Sequence, residues 1–166
     1  MSTAAPQHVA NPLVFWMTLR IGGVDPVDHI TRLEAKGVRL DRTTREVLCS
    51  RQYVPGPKRF VTFGRCQVKD FGFTERPTTT ELLKMFERWR AICPPETAPH
   101  GQEALVGDDR EDCASVVMPT IPDRHDAPQM LTIRKTAAGV CRMSARYAHP
   151  SHRWSLDYEV IGVLAE

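Results

Sequence analysis

Apolar and polar positions along the chain fall into short runs of two different periods. Leu13 to Ile21, LVFWMTLRI, is dense in β-branched and aromatic residues and stops at Gly22-Gly23, which predicts a first strand. Asp25 and Pro26 then suit an N-cap and first helical turn; Val27, Ile30 and Leu33 or Leu40 supply apolar contacts, and Gly37 closes the helix. Asp41 or Thr43 caps a shorter helix to about Cys49, with Val47 and Leu48 facing inward. Pro55-Gly56-Pro57 is a turn, and Arg59 to Val68 reads as a second strand with neither face cleanly polar.

The spacing Thr78-x-x-Glu81 predicts a capping box, followed by Leu82, Met85, Phe86 and Trp89 at helical intervals. The proline-stiffened exit CPPETAPH leads into HGQEALVGDDREDC, which reads as a long polar loop around a short extended piece near Ala104 to Val106. Four runs follow, ASVVMPTI, QMLTIRK, VCRMSARY and SLDYEVIGVL, separated by turn-rich segments. In the third, Cys141, Met143, Ala145 and Tyr147 alternate with Arg142, Ser144 and Arg146, giving one apolar face and one basic face. The expected architecture is α+β: residues 1–12 form a polar arm, and residues 13–166 form one domain. That domain places two or three helices on a mostly antiparallel sheet with a C-terminal four-strand meander.

Composition narrows the function classes. In 166 residues, 42% hydrophobic, a core forms without staples, and a net charge of +2 lacks the strong basic balance of a dedicated nucleic-acid binder. Residues 1–92 carry 15 basic against 9 acidic side chains, +6, and residues 93–166 carry 7 against 11, −4. Five cysteines, Cys49, Cys66, Cys93, Cys113 and Cys141, without a CxxC pair, argue against a disulfide framework or zinc finger. With no leader-like start and no apolar run of ~20 residues, the expectation is a reduced, cytoplasmic protein without a membrane partner.

Candidate chemistry is sparse. Cys93, Glu96 and His100 offer a nucleophile, an orienting carboxylate and a base, although a buried cysteine and a carboxylate that accepts backbone amides explain the same letters. His149 and His152 with Asp123, His125 and Asp126 offer nitrogen and oxygen donors from loops, and the acidic run Asp108, Asp109, Glu111 and Asp112 lacks the alternation of an EF-hand. No Walker loop, GxGxxG or HExxH occurs, so no cofactor and no metal are expected. The best recognition surface is Arg134, Arg142 and Arg146 with Arg153 and Trp154, because guanidinium groups pair with carboxylates or phosphates and aromatic rings anchor partners.

Phe71-Gly72-Phe73, Cys93-Pro94-Pro95-Glu96-Thr97-Ala98-Pro99, Val117-Met118-Pro119-Thr120-Ile121 and Pro150 to Trp154 occur in that order. The stretch from about Val68 to Val163 thereby resembles an uncharacterised family of small prokaryotic and phage-type proteins. That family has a Leu-Gly-Phe turn, a Cys-Pro-x-Glu-x-Gly-Pro exit, an Ala-Met-x-Pro-Ile strand and a Pro-x-x-x-Trp loop; Ala98 stands here where the family has glycine. The resemblance implies shared architecture and an origin in a phage or mobile element, and transfers no catalytic residue. The expected function is a non-enzymatic binding protein acting on a protein partner or by self-assembly, as an accessory or inhibitor protein. The alternatives are a small enzyme or ligand-binding domain at Cys93, Glu96 and His100, and a nucleic-acid-associated protein.

Overall fold

The computed structural model describes residues 10–165, so most of the expected N-terminal arm lies outside the described residues. Seven strands form one mixed sheet: β1 (Val14–Ile21), β2 (Arg39–Leu40), β3 (Arg59–Gln67), β4 (Asp112–Pro122), β5 (Pro128–Lys135), β6 (Cys141–Tyr147) and β7 (Glu159–Ala165). Their spatial order is β1-β3-β7-β4-β5-β6-β2. The four C-terminal strands lie side by side. β4, β5 and β6 are an antiparallel meander, while β7 returns to the far flank of β4, parallel to it, and joins the meander to β3.

Helices α1 (Pro26–Ala35), α2 (Arg42–Leu48), α3 (Thr79–Arg88) and α4 (Thr97–Val106) cover the sheet, with one 3-10 turn at Val68–Phe71. Three starts follow from the sequence: Asp25 accepts from the Val27 amide, Asp41 from Thr44 and Thr78 from Glu81. α4 replaces the long loop expected after Pro99. Its residues Thr97, Ala98, Gly101, Gln102 and Leu105 are buried, and Gln102 locks it to β5 by accepting from the Arg134 amide (3.0 Å) and donating to the Arg134 carbonyl (3.1 Å). Lys135 Nζ closes the far end by donating to the Leu105 carbonyl at 2.9 Å.

α1, α2 and α4 share one face of the sheet, where Gly101 lies against Trp16 and Ile133. α3 lies on the other. There Phe86 is fully buried over Gly162, whose partner across the β3–β7 ladder is Gly64. A Cβ at Gly162 would stand 2.7 Å from the Phe86 ring and 2.9 Å from Leu13, so the missing side chain makes room for the helix. The same face carries Thr132 and Arg134 beyond the reach of α3, where the sheet is open.

Candidate functional site

Strand register decides which arginines meet. Arg134 on β5 stands directly opposite Arg142 on β6, and Cys113 on β4 stands opposite Arg134 on the other side. One step along, Ser115, Thr132 and Ser144 form the next row. Arg146 completes the set, and Cys113, Thr132, Arg134, Arg142, Ser144 and Arg146 line an open groove of about 350 Å³.

Like charges paired directly across strands are unfavourable, and the surroundings neutralise little of this charge. Arg142 Nη2 lies 3.8 Å from Asp41 Oδ2, a loose contact, and neither Arg134 nor Arg146 has a carboxylate partner among the described residues. Arg146 is held instead by aromatic faces. Its guanidinium carbon is 4.4 Å from the Tyr158 ring centre and 5.7 Å from that of Trp154, and its Nε donates to Thr132 Oγ1 at 3.5 Å. The groove is therefore basic, lined with hydroxyls and partly pre-ordered.

Two residues expected on this surface are placed elsewhere. Trp154 has no exposed area: its indole N–H donates to Thr79 Oγ1 at 2.9 Å, and its amide donates to the Pro77 carbonyl, pinning the last loop to the start of α3. It supports Arg146 from within the core and cannot stack on a partner. Arg153 turns toward the same helix start, where its Nη1 donates to the Arg76 carbonyl at 2.7 Å. Lys135, a strand neighbour of Arg134, is occupied at the end of α4.

Cys93, Glu96 and His100 do not form a nucleophilic triad. The Cys93 thiol is fully buried, 3.5 Å from the Ile161 carbonyl, and burial raises its pKa above that of a free thiol, which disfavours the thiolate a nucleophile needs. Glu96 is 1% exposed and turns to the Pro55-Gly56-Pro57 turn, accepting from the Gly56 amide and from Arg59, each at 3.0 Å. His100 Nε2 accepts from the Gly22 amide at 3.0 Å. Gly22 has a φ of +85°, and a Cβ there would collide with the Pro57 carbonyl, so glycine is required where this turn meets α4.

Sequence reading missed a different cluster, because it needs α4 as a helix. His29 of α1 meets Glu103 of α4, with Nε2 2.6 Å from Oε1, and its ring packs edge-on to His100, ring centres 4.5 Å apart. Arg32 and Lys36 of α1 reach the same carboxylate at 2.8 and 2.7 Å. Among the described residues the loop donors His149, His152, Asp123, His125 and Asp126 form no metal-sized group. His149 Nδ1 pairs with Ser151 Oγ at 2.8 Å, His152 packs edge-on to Trp154, and Asp123 accepts from the His125 and Ala127 amides of its own turn. Among the described residues no helix is long and apolar enough to cross a membrane. No known protein family, curated protein or solved structure matches the chain.

Proposed function

We propose that the protein is a non-enzymatic binding protein whose open β4–β5–β6 face docks an acidic segment of a protein partner. The observation that carries this reading is the cross-strand pairing of Arg134 with Arg142, beside an Arg146 held on Tyr158, without close carboxylate neutralisation among the described residues. Paired like charges on one ladder are relieved when carboxylates arrive, and the Ser144 hydroxyl in the same groove offers a further hydrogen bond to such a ligand. In this reading the binding serves an accessory or inhibitory role, exercised in the cytoplasm.

The test uses tagged wild-type protein and an Arg134→Glu/Arg142→Glu variant, recovered from host lysate with and without nuclease. Both arginines point away from the core, so the melting temperature of the variant stays within a few degrees of wild type. A stoichiometric protein that survives nuclease and is lost from the variant is the expected result. Equal recovery by both proteins overturns the docking face, and recovery abolished by nuclease replaces the acidic protein with a nucleic acid.

A further inference from the structure

The His29–Glu103 contact leaves a physical question independent of the arginine face. His29 is 2% exposed and the Glu103 side chain 10%; His29 Nε2 lies 2.6 Å from Glu103 Oε1 without a well-formed hydrogen bond, and Oε1 has the Arg32 guanidinium 2.8 Å away as an ion pair. A buried polar atom without a well-formed hydrogen bond costs about 1–3 kcal/mol, and here the His29 nitrogen stands in that position beside a further donor, His100. One ligand atom from each of His29, His100 and Glu103 lies within 4.8 Å of the others.

We propose that His29, His100 and Glu103 bind a divalent transition-metal ion of the Zn²⁺ class. Two imidazoles and a carboxylate with a position left open are a donor set such ions take. His100 and Glu103 are three apart on α4 and so share one helix face, and α1 supplies the third donor from the facing helix.

Two sets of contacts compete with the ion. Arg32 and Lys36 hold the carboxylate, but their side chains are 48% and 46% exposed and are free to swing into solvent. The Gly22 amide occupies His100 Nε2 and yields when that nitrogen takes the metal. The competition gives a signature that an ion-pair cluster serving only as a brace between α1 and α4 lacks: removing the two cations strengthens metal binding.

The test is competition for Zn²⁺ with a chromophoric chelator, in a Cys49→Ser/Cys113→Ser background that removes the two exposed thiols. One equivalent binds at micromolar or lower free Zn²⁺. Glu103→Gln weakens it at least tenfold, and Arg32→Ala/Lys36→Ala tightens it at least threefold while lowering the metal-free melting temperature. Co²⁺ in place of Zn²⁺ gives visible ligand-field bands that vanish in His100→Gln. The proposal is overturned by the absence of a stoichiometric site, by equal affinity in wild type and Glu103→Gln, or by no gain in Arg32→Ala/Lys36→Ala. Should Glu103→Gln not fold, the double alanine variant and the Co²⁺ spectrum decide.

Discussion

At the residue scale, burial separates side chains that the sequence presents as equals. Cys49 and Cys113 are exposed and Cys66, Cys93 and Cys141 are buried. Burial, aided by the nearby Asp70 and Glu159 charges, pushes Cys66 up to about 12, and burial raises Cys93 further despite a contact with Thr97. Only the thiolate attacks an alkylating agent. Brief iodoacetamide treatment of native protein at pH 8 should therefore label two of five cysteines, Cys49 and Cys113, by peptide mass spectrometry; fast labelling of Cys93 would contradict its packing. The same distinction explains the arginine face. Alternation in β6 places Arg142 and Arg146 away from the apolar Cys141 and Met143, and the β5–β6 register sets Arg134, expected on the same surface, directly opposite Arg142. Composition cannot tell an exposed indole from one, such as that of Trp154, whose N–H is satisfied inside the core by Thr79.

At the scale of elements, helices announced by caps were legible and the one without a side-chain cap was not. Asp25, Asp41 and Thr78 mark the starts of α1, α2 and α3, whereas Glu96, at the start of α4, spends its carboxylate on Gly56 and Arg59. The segment TAPHGQEALV also contains Pro99 and Gly101, which local propensity counts against a helix, and Gly101 is tolerated because Trp16 packs on it. Without α4, the one-turn spacing of His100 and Glu103 and their meeting with His29 were invisible. Glu96 therefore works as a tether: it fixes the start of α4 to the turn that touches Gly22. Glu96→Ala leaves the Gly56 amide and Arg59 without this partner and should cost about 1–3 kcal/mol, read as a lower urea midpoint with an unchanged slope; an unaltered midpoint would show that the tether contributes nothing.

At the scale of the whole molecule, the α+β class and most strands were readable from period and turn residues, but neighbour relations were not. Alternation tells which face a residue occupies and is silent about which strand lies beside it, so the parallel β4–β7 pairing had no local signal. The sheet order sets β7, β4, β5 and β6 of the −4 portion between β1–β3 and β2 of the +6 portion, so the two oppositely charged stretches of sequence do not become two poles. A chain ending at Asp157 lacks β7 and should lose its single cooperative transition, becoming degradable by thermolysin under conditions where the full chain resists; retained resistance would mean that the β1–β3 and β4–β6 groups stand alone. Because the strand that closes the sheet follows the other six in chain order, synthesis delivers it last. During translation β3 and β4 each keep an unpaired edge until β7 clears the ribosome, and this interval is when the nascent chain depends most on protection from edge-to-edge aggregation.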